Sequence, residues 1–141
     1  MFRLQYLILA AAIALPGFAS AEGYLAQKPE KLPDLVLGQG ETGYGVSQKD
    51  YALVTGKAYR LKLKSTGQKE CAWTAPEFAN YVWLRKVEVN NVEIKASHVY
   101  EIEMEREGEA EIFFVPIRPG EYPWGCRGLE GKGMAGKFVV K

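Results

Sequence analysis

The sequence predicts an all-β fold, a Greek-key antiparallel β-sandwich with one short helical insertion. Three observations carry that expectation. Apolar and polar residues alternate in short runs such as Tyr59, Leu61, Leu63 and Tyr100, Ile102, Met104, the period of strands with one buried face. Gly, Pro and Asn punctuate these runs regularly, giving about seven or eight short strands, as a sandwich or barrel needs. The chain has 141 residues and no internal repeat, which suits a single domain.

The first stretch is set apart from that domain. Arg3 supplies a short basic region, residues 4–15 are almost wholly apolar, and Pro16-Gly17 breaks the run. Ala19-Ser20-Ala21 has the small-x-small form of a cleavage site, so residues 1–21 read as a secretory signal peptide and Glu22 as the mature N-terminus. The apolar run is shorter than the roughly 20 residues a membrane-spanning helix needs. No Cys follows the cleavage site, which speaks against a lipid anchor. Residues 22–45 are rich in Gly, Pro and Lys with little periodicity. They read as a loosely ordered N-terminal arm with one edge strand at Leu35-Val36-Leu37. Residues 46–141 form the domain.

Within the domain, Tyr51 and Leu53, then Tyr59, Leu61 and Leu63, predict two half-buried strands around the turn Thr55-Gly56-Lys57. Lys69 to Trp73 is another strand. Thr74 and Glu77 stand at capping-box spacing with Pro76 between them, which predicts a short helix from about Phe78 to Leu84. Alternation resumes at Arg85–Val89. Asn90-Asn91 makes a turn, and Val92-Glu93-Ile94 continues beyond it. The next strand, around Ile102 and Met104, has an acidic outer face of Glu101, Glu103 and Glu105. It reads as a solvated face or as a docking patch for a basic partner. Ala110–Val115 follows, and a Pro119-Gly120 turn leads to Tyr122.

Charge and composition narrow the function. The formal net charge is +1, and loss of Arg3, the one charged residue before Glu22, brings it to zero. A neutral chain lacks the basic patch that nucleic acid or an anionic membrane requires. No nucleophile–base constellation, HExxH or phosphate loop appears, so an enzyme is not expected. The chain has two cysteines, and in an oxidising compartment two cysteines pair by default.

The stretch Glu121-Tyr-Pro-Trp-Gly-Cys126-Arg-Gly-Leu129-Glu-Gly-Lys-Gly-Met134-Ala-Gly-Lys-Phe-Val-Val140 is the most informative. A Tyr/Trp-flanked strand leads to a Cys, a glycine-crowded loop, a Met eight positions on and a closing strand. It resembles the ligand loop of the cupredoxins, the plastocyanin/azurin family. Cys126, Gly133, Met134, Gly136 and Lys137 match at the plastocyanin spacing, and Pro119-Gly120-Glu121-Tyr122 matches the entry to the Cys strand. The likeness extends less specifically over residues 51–141, and it implies a sandwich of cupredoxin type and a copper-related role.

The usual ligand set is incomplete. Blue copper takes two imidazoles, a thiolate and a distant thioether. The family's loop His falls on Leu129, and the chain has one His in all. A two-His site within one chain is therefore excluded by count. The lone His98 reads as exposed or capping, away from the loop. The family's upstream His falls on Glu70 or Cys71. The resemblance thus implies a metal set drawn from Cys71, Cys126, Met134 and Glu70, or else a disulfide between Cys71 and Cys126. Two thiolates with Met134 suit Cu(I). A disulfide between positions 71 and 126 closes a loop of over fifty residues and stabilises by on the order of 4 kcal/mol. Trp73, Trp83 and Trp124 read as core or rim aromatics. Two functions stand side by side. One is a periplasmic copper-binding, copper-homeostasis or electron-transfer protein with a copper donor or acceptor as partner. The other is a metal-free binding or assembly module that docks a protein.

Overall fold

The computed structural model describes residues 23–141, and the expected signal peptide, residues 1–21, lies outside the described residues. In chain order the elements are β1 (Glu30–Lys31), β2 (Leu35–Gln39), β3 (Gly45–Val46), β4 (Asp50–Leu53), β5 (Tyr59–Ser65), β6 (Cys71–Thr74), α1 (Pro76–Ala79), β7 (Val82–Val89), β8 (Val92–Ile94), β9 (Glu101–Met104), β10 (Gly108–Pro116), β11 (Gly120–Cys126), a 3-10 turn (Glu130–Lys132) and β12 (Ala135–Val140). One sheet has the order β3-β2-β5-β10-β7-β8, with β1 also on β5; the other has the order β4-β12-β11-β6-β9.

Period-two patterning accounts for the strands. In β5, Tyr59, Leu61, Leu63 and Ser65 are buried while Arg60, Lys62 and Lys64 are half-buried. The outer cations meet acids on the neighbouring β10, Lys62 with Glu109 at 2.9 Å and Arg60 with Glu111 at 3.5 Å. β10 lies between β5 and β7 and is buried continuously from Ile112 to Pro116. Phe113 on its outer face is covered by the Lys86 ammonium, 4.4 Å from the ring centre. Asn90 and Asn91 both have positive φ, 49° and 65°. That is the backbone of a tight type I′ hairpin turn, and it joins β7 to β8 as the sequence suggests.

Four expectations need correction. The stretch read as a loosely ordered arm, residues 22–45, contributes β1, β2 and the start of β3 to one of the sheets. β2 pairs with β5, and Leu35 and Leu37 are fully buried in the core. The strand expected at Leu35-Val36-Leu37 is present, but it lies between β3 and β5 and not at an edge, and burial of its leucines outweighs the Gly- and Pro-rich surroundings. The sheets are also mixed, where antiparallel pairing throughout was expected. β1 and β2 run parallel to β5, and β4 runs parallel to β12. Parallel neighbours need long crossovers, and here the connections pass through the opposite sheet. For the same reason β4 and β5 do not form a hairpin around Gly56, since they belong to different sheets.

The fourth correction concerns the helix, which is only Pro76–Ala79. Its N-cap is Ala75, without a side-chain cap. The Thr74 hydroxyl donates instead to the Tyr100 carbonyl on the way to β9, at 2.7 Å. Val82-Trp83-Leu84, expected to be helical, belong to β7 and pair with Pro116, Val115 and Phe114. β-branched and aromatic residues beside an available ladder favour the strand. The short helix nevertheless has a packing role. Phe78 is buried between the sheets, stacked on Phe138 with centroids 4.2 Å apart and edge-on to Phe114 at 5.3 Å.

Candidate metal centre

Cys71 opens β6, and Cys126 closes β11, its neighbour in the sheet. Gly125 and Cys126 pair with Thr74 and Trp73, and the Arg127 N–H continues the ladder to the Ala72 carbonyl at 2.9 Å. Alternation turns both cysteines into the core, where each has zero exposure. They are joined as a disulfide with Cα atoms 5.0 Å apart.

Met134 lies beside them. The Cys126 N–H donates to the Met134 carbonyl at 2.9 Å, extending the β11–β12 ladder one pair beyond Gly125 and Ala135. Directly opposed residues of an antiparallel pair share a face, and Met134 too has zero exposure. The loop between is folded on itself. Leu129 donates to the Cys126 carbonyl at 2.8 Å, and Met134 donates to the Leu129 carbonyl at 3.3 Å. Gly133 has φ 103° at the end of the 3-10 turn, a conformation that favours glycine. Outside the loop, Arg127 pairs with Glu101 at 2.7 Å.

The structure brings together Cys71, Cys126 and Met134, and leaves Glu70 out. Glu70 is exposed. Side chains alternate across a strand, so the residue before an inward cysteine points outward. Leu129, at the family's loop-His position, is half-buried and packs against the core. His98 is exposed and borders a small apolar cavity of about 40 Å³ with Trp73, Phe78 and Val99, a lining that contains neither cysteine nor Met134. Trp73 and Trp124 are core residues, and Trp83 sits at the surface with 36% exposure. Among the described residues no group of three or more His, Cys, Asp or Glu converges. The chain's own donors thus do not fit a two-imidazole copper site, and the soft donors it gathers are all sulfur. Sequence reasoning passed over Met104, which is the direct cross-strand partner of Cys71 in β9. Its place in the Tyr100-Ile102-Met104 alternation was legible, but the strand it would pair with was not.

No family model matches the sequence, and no curated protein does. The fold has clear counterparts among solved structures. Copper nitrite reductase from Nitrosomonas europaea is similar over 86% of this chain and 52% of its own, with TM-score 0.59 and 8% identity. A multicopper oxidase from Campylobacter jejuni, a metallo-oxidase, is similar over 82% of this chain and 31% of its own, with TM-score 0.54 and 14% identity. Auracyanin B is similar over 82% of this chain and 91% of its own, with TM-score 0.52 and 14% identity. The chain therefore spans less than two thirds of the two enzymes and nearly all of auracyanin B. Two mixed sheets, a buried Cys on the penultimate strand, a Gly-rich loop and a Met before the closing strand, together with these likenesses, give the chain a cupredoxin-like fold.

Proposed function

We propose that this chain is a periplasmic copper-handling protein on a cupredoxin-like scaffold, with a site that the redox state of Cys71 and Cys126 opens and closes. One observation carries the reading: Cys126 and Met134, fully buried at the two ends of one Gly-rich loop, meet Cys71 at the start of the neighbouring strand β6. In the disulfide form the two cysteine sulfurs bind each other. Opening the site requires two electrons and two protons. A protein dithiol attacks one sulfur, forms a mixed disulfide, and leaves as its own disulfide. Cys71 and Cys126 become thiols, and as thiolates beside a thioether they form a set that prefers Cu(I). The exposed glycines Gly128 and Gly131 lie where the loop must yield to admit a reductant.

Copper binding and transfer suit this set better than electron transfer, because the imidazoles of a blue site are missing. The partner would be a copper donor or acceptor. Secretion rests on the sequence of residues 1–21, and intact mass of protein from the periplasm should show their loss; retention of Met1 would overturn the location.

A second reading has its own observation. Both cysteine sulfurs have zero exposure, as in a purely structural disulfide, and the chain would then be a metal-free docking module. Thiol counting and metal analysis, before and after reduction under anaerobic conditions, separate the two. Copper handling predicts one Cu(I) bound after reduction, almost none in the oxidised form, and loss of binding in Cys126→Ser. Equal binding by wild type and Cys126→Ser leaves the docking module. Added Cu(II) should give no intense blue thiolate band in either case.

A further inference from the structure

The sulfur set extends to a fourth member with a route to solvent. Met104 faces Cys71 directly across the β6–β9 ladder, and opposed residues of an antiparallel pair place their side chains on one face, about 5 Å apart at Cβ. Its exposure is 7%, whereas Cys71, Cys126 and Met134 have none. Met104 is therefore the one sulfur residue of the four that reaches the surface. The surface it reaches is a cleft of about 490 Å³ lined by Met104 with Glu103, Glu105, Glu107, Glu109 and Arg106. Glu109 is paired with Lys62. No ion pair involves Glu103, Glu105 or Glu107 among the described residues. A concave, acidic mouth raises the local concentration of cations. A thioether in its wall is a soft, uncharged donor that selects Cu(I) over harder ions and adds no negative charge to a buried site.

We propose that Met104 is the entry ligand of a Cu(I) site completed by Cys71, Cys126 and Met134, and that the Glu103–Glu107 cleft is the mouth through which the ion arrives. This rests on the copper-handling reading and names the fourth donor and the path. The path runs from carboxylates to the Met104 thioether, then to the Cys71 and Cys126 thiolates, which release their thiol protons as they bind.

The test uses mature protein, fully reduced and anaerobic, titrated with Cu(I) against a chromophoric Cu(I) chelator. Met104→Leu keeps the side-chain volume and should weaken binding about tenfold or more, with one copper still bound. In stopped-flow transfer from the chelate, Glu103→Gln/Glu105→Gln/Glu107→Gln should slow uptake at low salt, and added salt should abolish the difference. Unchanged affinity and uptake in Met104→Leu, with wild type binding one Cu(I), would overturn the entry-ligand proposal and leave the three-sulfur site intact. No Cu(I) bound by reduced wild type would overturn both. A thermal melt of each variant distinguishes loss of a ligand from loss of the fold.

Discussion

The indole N–H of Trp124 donates to the carbonyl of Lys49 at 3.0 Å, and the same oxygen accepts the N–H of Lys137 at 2.9 Å. The carbonyl reaches both donors because position 136 has no side chain. A Cβ on Gly136 would run into the Lys49 carbonyl and the Trp124 ring. Gly136→Ala should therefore destabilise the protein by about 1–3 kcal/mol through forced backbone shifts. Urea unfolding followed by tryptophan fluorescence measures this, and an unchanged midpoint would refute the steric account.

The disulfide joins residues 55 apart in sequence. In the loop-entropy model a crosslink of that span contributes about 4 kcal/mol. The Cys71→Ser/Cys126→Ser double variant and the reduced wild type should both lose stability on that order in equilibrium denaturation. A much smaller loss would mean that the crosslink serves redox chemistry more than stability.

Phe78 is the one buried side chain of a four-residue helix. It touches Phe114, Tyr122 and Phe138 in ring pairs with centroids 4.2–5.7 Å apart. Phe78→Ala should cost about 3–5 kcal/mol, the range for emptying a large aromatic site. Phe78→Leu should cost less. If the alanine variant melts within a few degrees of wild type, the helix is an ornament and not a plug.

Asp34 accepts the Lys64 ammonium at 2.7 Å and lies 3.3 Å from that of Lys31. The Lys64 contact, then Lys31, holds its carboxyl below the usual carboxylate range, against the opposing effect of burial. The folded state thus binds this proton less readily than the unfolded chain. The contribution is fully present above the unfolded pKa of about 3.9 and is lost as pH falls through the lower folded value. Asp34→Asn should lower stability at about pH 6, and the difference from wild type should shrink as pH falls below the unfolded pKa of about 3.9. A constant difference across that range would show that the ion pairs do not contribute.

Most strands were legible because burial on one face writes period two into the sequence, as Tyr59, Leu61 and Leu63 show. Asn90-Asn91 was legible because few residues other than glycine accept positive φ. Partners were not legible. Nothing local in Asp50–Leu53 says that it pairs parallel with Ala135–Val140, and nothing in Cys71 says that Met104 lies opposite. Val82–Leu84 carried a helix signal from Thr74 and Pro76, which the β10 ladder overrode. Locating the candidate site by resemblance left its register open by one residue, and one residue in a strand exchanges inside for outside. That slip separates exposed Glu70 from buried Cys71.

β12 occupies an interior place in its sheet, between β4 and β11, and among the described residues β12 is the one ladder partner of β4. A ribosome makes β4 long before residues 135–140 exist. Until then β4 has no neighbour to pair with in that sheet, and the core cannot close around Phe138. Long-range pairing of this kind is slow to form and leaves the nascent chain extended. Such a chain remains threadable. If it is exported through a narrow pore, delayed closure keeps it able to pass, and completion of β12 sets the moment after which it no longer can.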